Sequence, residues 1–166
     1  MKRIIIVVLS LCLFSCHRNY RPAIKTGFEG TALPSFNILL SDSTTQINTS
    51  SIPEGTSIVM LFFSPQCPYC RAEMTNIMKN ISTLGAIRFY IFTNFPFRQF
   101  KAFSEHYQFD KYANIVAGQD YTNFFFRHFK PLGIPYTAIY TKDKKLNKAF
   151  MGLMPAEQIK SVAENN

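Results

Sequence analysis

The sequence predicts an α/β fold in which helices flank a central mixed β-sheet. Three observations carry this prediction. Apolar runs rich in β-branched and aromatic residues recur at 57–63, 86–93 and 136–140, with stretches of helical character between them. A cysteine pair, Cys67-Pro68-Tyr69-Cys70, stands where the first of these runs gives way to a helix. The chain then closes with a hairpin signal at Asp143-Lys144-Lys145 and a helical stretch at 155–163, so the alternating units end in an antiparallel pair.

Taken in order, residues 36–40 (Phe-Asn-Ile-Leu-Leu) form a short strand, followed by a polar Ser/Thr-rich stretch over 41–51. Residues 57–63 are continuously apolar, as a strand buried on both faces requires. A helix follows from Pro68 to about Ser82, with proline tolerated at its first position because that N–H has no intrahelical partner. Residues 86–93 are a second central strand, and 97–107 a helix with Phe100 and Phe103 on one face. A brief strand at 115–117 precedes a helix at 120–129; 136–140 and 148–151 make the hairpin, and 155–163 the last helix. The chain has seventeen Phe and eight Tyr. Those at 62–63, 124–126 and 129 fall where packing residues are expected, so they read as core rather than as a cofactor cage.

The N-terminus has the layout of an export signal: Lys2 and Arg3, an apolar core over 4–14, then polar residues from His17. That core is too short to span a bilayer, which needs ~20 residues. Leu13-Phe14-Ser15-Cys16 resembles a bacterial lipobox, which implies cleavage before Cys16 and lipidation of its thiol and amine; the alternative is an ordinary cleaved signal. The predicted organisation is a leader over 1–15, a lipid-anchored flexible linker over 16–33 containing Pro22, Gly27 and Gly30, and one domain over 34–166.

The formal charge of +8 falls to +6 when Lys2 and Arg3 leave with the leader. The basic residues are scattered apart from Lys142, Lys144, Lys145 and Lys148, which read as a solvated hairpin tip and not as a nucleic-acid surface. There is no Gly-rich phosphate loop, and no cofactor is expected.

With Pro68 as the first helical residue, Cys67 is the N-cap and Cys70 the third helical position. A cap side chain accepts hydrogen bonds from the N–H groups two and three residues on, here Tyr69 and Cys70. Such surroundings lower a thiol pKa from about 8.5 to roughly 3.5–7.5, which makes Cys67 the expected attacking thiolate and Cys70 the buried resolving thiol. Four other readings compete. A structural disulfide across so short a loop restrains little chain entropy. Zinc needs further ligands, and His17, His106 and His128 show no ligand spacing. Copper held by the two thiolates and a distant His128 stays open, as does a non-catalytic module.

Gly133-Ile134-Pro135-Tyr136 opens the later strand, and an X-Pro bond there is compatible with either isomer. Strand, Cys-x-x-Cys, helix, then Ile-Pro before a hairpin and terminal helix resembles the thioredoxin superfamily. Residues 33–163 are similar to its membrane-tethered, extracytoplasmic TlpA/ResA-type thiol–disulfide oxidoreductases. The resemblance rests on Pro34-Ser35-Phe36, Cys67 to Met74, and Phe150-Met151-Gly152. It implies a thioredoxin-like fold, a redox-active Cys67–Cys70 pair, and a cis Pro135 packed beside it. It further implies substrate contacts at Pro68, Tyr69, Ile134 and Pro135, with the Ile134 backbone pairing to an extended substrate segment. Glu73 matches a family acid expected to raise the Cys70 pKa or take its proton; the alternative is a solvent-exposed helix acid. The implied activity is reduction of exported proteins, for example in cytochrome c maturation, with electrons from a membrane donor. Leu61, Gln66, Thr75 and Tyr136 depart from the family's usual Asp or Asn, Trp, Pro and Thr.

Overall fold

The computed structural model describes residues 20–165; the predicted leader 1–15, the predicted lipidation site Cys16 and the start of the predicted linker lie outside them. Seven strands form one sheet in the order β2-β1-β5-β4-β3-β6-β7. These are β1 Asn37–Leu40, β2 Gln46–Asn48, β3 Ser57–Phe62, β4 Ile87–Thr93, β5 Ile115–Gln119, β6 Tyr136–Tyr140 and β7 Leu146–Met151. β3, β4 and β5 run parallel, while β6, β7, β1 and β2 pair antiparallel, so the mixed sheet expected from the sequence is present. The helices are α1 Pro68–Lys79, α2 Phe97–Tyr107, α3 Phe124–Phe129 and α4 Ala156–Glu164.

Side chains alternate across a strand, and β3 feeds two cores in this way. Val59 and Leu61, with Phe63 just after the strand, join Met74, Ile77, Phe100, Phe103 and Ile159 beneath the helices on one face. Ile58, Met60 and Phe62 join Phe36, Phe92, Phe125 and Tyr136 on the other. The aromatic residues are packing residues: Phe125 lies 4.9 Å from Phe92, 4.6 Å from Phe129 and 5.5 Å from Phe62, ring centre to ring centre.

Several elements differ from the sequence prediction. β2 lies in the stretch read as polar loop and pairs with β1 through Ile38↔Ile47. α1 ends at Lys79, where the Asn80 amide caps Asn76, and a separate 3-10 turn covers Ile81–Leu84. α3 begins at Phe124 rather than 120, because the Asp120 carboxylate accepts the Phe125 N–H and the Thr122 hydroxyl. The hairpin tip is not wholly solvated: Lys144 Nζ donates to the carbonyls of Ser50 and Ile52.

The largest difference concerns the segment read as flexible linker. Residues 20–33 lie along the outer edge of β7. Ile24 bridges Ala149 and Ala32 bridges Lys145, and the N–H groups of Ile24, Gly30 and Leu33 donate to the carbonyls of Ala149, Leu146 and Lys144 at 2.8 Å. The segment covers an edge that would otherwise present unpaired backbone groups, and Phe28 stacks on His128 with ring centres 4.3 Å apart. Arg21 is clamped to α4: its N–H donates to Gln158 Oε1 at 2.8 Å, and Gln158 Nε2 donates to its carbonyl at 2.6 Å.

Candidate active site

β3 delivers the chain to the sheet's end, and a short turn over 63–66 leads into α1. Cys67 is the N-cap with φ −73° and ψ 122°, and Pro68 occupies the first turn. The position is as predicted, but the cap hydrogen bond is not: the Cys67 side chain accepts none. Its Sγ lies 4.0 Å from the Ile134 carbonyl oxygen, as a long thiol contact. The sulfur thus meets the neighbouring loop and the Cys70 side chain, but takes no N–H of the helix start.

That loop contains the cis Ile134-Pro135 bond, held in place by the Gly152 N–H donating to the Pro135 carbonyl at 2.8 Å. The structure thus brings Cys67, Ile134 and Pro135 together. Both cysteines are free thiols. Cys67 is partly exposed, Pro68 and Tyr69 are exposed, and Cys70 is fully buried. Burial pushes the Cys70 thiol well above the ordinary cysteine value; the adjacent Cys67 and the Glu73 carboxylate push the same way, against the Ser64 backbone.

Glu73 lies one helical turn beyond Cys70 with 0% of its surface exposed. The solvent-exposed alternative is therefore excluded. Thr137 Oγ1 donates to Glu73 Oε1 at 3.0 Å, and the Met154 N–H donates to Oε2 at 3.0 Å. Burial raises its pKa from 4.5 to about 7, opposed by those two hydrogen bonds and by the charge of Arg21. Thr137 pairs in register with Leu61. Leu61 itself is apolar core, so the buried acid of this site comes from the helix and not from the strand.

The sequence did not point to Thr137, the Met154 N–H or Arg21. Thr137 follows Tyr136 on a strand, so it faces the helix layer while Tyr136 packs with Phe125 and Phe129 on the opposite side. Arg21 Nε donates to the Leu153 carbonyl at 3.2 Å, next to the residue that holds Glu73. Its guanidinium covers Gly152, where a Cβ would come within 3.3 Å of it. Among the described residues no three His, Cys, Asp or Glu side chains gather as a metal site.

A partly exposed sulfur at a helix start, a buried sulfur one turn deeper and a cis-proline loop facing the first define a dithiol site on a thioredoxin fold. Residues 49–165 match the model of the thioredoxin-like domain, which is more than half of the chain, and the protein belongs to the thioredoxin-like family. No curated protein sequence matches it. Among solved structures, it resembles a candidate protein disulfide isomerase from Bacteroides thetaiotaomicron, with a TM-score of 0.66 and 22% identity over 88% of this chain and 91% of that one. The thioredoxin domain of a thiol–disulfide oxidoreductase from Bacteroides vulgatus gives 0.65 and 14% over 82% and 96%. StoA from Bacillus subtilis gives 0.60 and 17% over 79% and 98%. At these identities the likeness is one of fold. Among the described residues no helix is long and apolar enough to cross a membrane.

Proposed function

We propose that the protein is an extracytoplasmic thiol–disulfide oxidoreductase, anchored to a bacterial membrane through Cys16 and acting as a reductant of exported proteins. The observation that carries the exchange chemistry is the placement of Cys67 at the start of α1, 4.0 Å from the Ile134 carbonyl, with Cys70 buried behind it. The Cys67 thiolate attacks one sulfur of a partner disulfide, forming a mixed disulfide and releasing the partner's other sulfur as a thiolate. Cys70 then loses its proton and attacks Cys67 Sγ, which frees the second partner sulfur and closes the Cys67–Cys70 disulfide. Two electrons pass to the partner, which takes up two protons, and a membrane dithiol donor restores the starting state.

Glu73 is the base this scheme assigns to Cys70. It shares the helix face one turn on, and its pKa of about 7 suits a group that exchanges protons near neutrality. The Ile134 backbone, whose carbonyl oxygen faces Cys67 Sγ at 4.0 Å, holds the partner as an added strand. The reductant direction is supported by the missing cap bond at Cys67: strong oxidants of this chemistry are those whose reduced form is stabilised, and that particular stabilisation is lacking here. The location is supported by the export leader and Cys16.

Turnover of insulin disulfide reduction by the wild type, abolished by Cys67→Ser, tests the activity. Loss of radiolabelled palmitate incorporation and of membrane association in Cys16→Ser tests the anchor. Wild-type protein that neither reduces insulin nor is oxidised by small disulfides overturns the reading.

A further inference from the structure

We infer that a cleft beside Cys67 is a subsite for an acidic side chain of the partner polypeptide, with Arg71 as its recognition residue; the inference rests on the thiol exchange proposed above. The cleft has a volume of about 360 Å³ and is lined by Pro65, Gln66, Arg71, Gln99, Phe103 and His106, among others. It lies across Cys67 from the proline loop. In the sheet order β3 is flanked by β4 on one side and β6 on the other. Pro135 leads into β6, whereas α2, which carries Gln99, Phe103 and His106, connects β4 to β5. A chain laid along Ile134 with its sulfur over Cys67 therefore has this cleft on its far flank.

The charge in the cleft is of one sign. Arg71 is the only Lys, Arg, Asp or Glu among its lining residues. Its guanidinium stands over the Phe103 ring, 5.7 Å from the centroid, which restrains it at the cleft wall. Neither ion pair of the described residues includes it. Arg71 also stands in the first turns of α1, which has no acidic residue there; a cation at a helix N-terminus opposes the helix dipole. Such a local cost, with no pairing carboxylate among the described residues, fits a charge kept for a partner. Nearby, Gln66 Nε2 comes within 3.5 Å of Gln99 Oε1, and the Tyr107 hydroxyl donates to the Arg71 carbonyl at 3.0 Å, bracing α2 against α1. The two glutamines add amide donors to the cation, so a carboxylate entering the cleft meets hydrogen-bond donors on two sides.

The test uses symmetrical disulfides of one short peptide carrying Glu, Gln or Lys at the two positions flanking its cysteine. Oxidation of the reduced protein is followed at low salt, and each rate is divided by that of the same peptide disulfide with dithiothreitol, which removes the effect of the flanking charge on the sulfur. The Glu peptide is expected to exceed the Gln peptide roughly two- to fivefold, the range of a solvent-accessible ion pair, with the advantage lost in high salt. Arg71→Gln brings the Glu to Gln ratio to one, and Arg71→Glu moves the preference to the Lys peptide. A change in sulfur reactivity alone scales all three peptides together and leaves the ratios in place. Wild-type protein that is oxidised by every peptide without preference overturns the subsite while leaving the exchange chemistry standing; a protein oxidised by none overturns both.

Discussion

Replacing Glu73 by glutamine tests the buried acid through stability, independently of any substrate. The folded protein raises the Glu73 pKa from 4.5 to about 7. At 1.36 kcal/mol per pKa unit, that difference corresponds to about 3 kcal/mol. Because the folded value lies above the unfolded one, the protonated acid's contribution is fully present below pH 4.5 and is lost as pH rises through about 7. Glutamine imitates the protonated acid: its oxygen accepts the Met154 N–H, and its amide can donate to Thr137 Oγ1. Urea unfolding of the reduced wild type and of Glu73→Gln, from pH 4 to pH 8.5, gives the difference in stability at each pH. The two proteins are expected to be within about 1 kcal/mol of each other at pH 4, with the variant gaining to about 3 kcal/mol above pH 7.5. A difference that stays constant across this range refutes the buried, proton-holding Glu73.

Gly118→Ala places a Cβ 2.3 Å from Ile38 Cγ2 and 2.6 Å from the Leu39 carbonyl oxygen; a loss of about 3 kcal/mol, the upper end for overpacking, is expected in thermal or urea unfolding. Phe125→Ala removes a fully buried ring that touches Phe62, Phe92 and Phe129, for an expected loss of about 3–5 kcal/mol. Gln158→Ala removes both hydrogen bonds that clamp Arg21. It is expected to cost about 1–2 kcal/mol and to hasten proteolytic cleavage within residues 20–33, whereas unchanged cleavage would show that the segment is held elsewhere.

The parts of the fold that the sequence made plain are those with a period. β3, buried on both faces, reads as an unbroken apolar run, and α2 shows Phe100 and Phe103 three residues apart. The parts it hid depend on partners distant along the chain. Residues 20–33 carry no period, and what fixes them is the open edge of β7 more than a hundred residues away, with Gln158 beside it. β2 has only three residues, two of them polar, and exists because β1 offers it a register. Glu73 was singled out because it matches an acid of the resembled family, three residues after Cys70, but a helix acid normally reads as surface; its burial depends on Thr137 and Met154, which no local pattern connects to it. The cysteine pair was legible because proline and helix start act within four residues. The contact of the Cys67 sulfur with the Ile134 carbonyl was not, since the two lie 67 residues apart along the chain.

The division of labour between the two sulfurs is tested most directly by mixing reduced Cys70→Ser with a peptide disulfide and mapping the adduct by mass spectrometry. The account predicts a stable mixed disulfide at Cys67, and no comparable adduct at Cys70 in the matched Cys67→Ser protein, where that thiol is buried. An adduct forming as readily on Cys70 in Cys67→Ser, or no adduct in either variant, contradicts it.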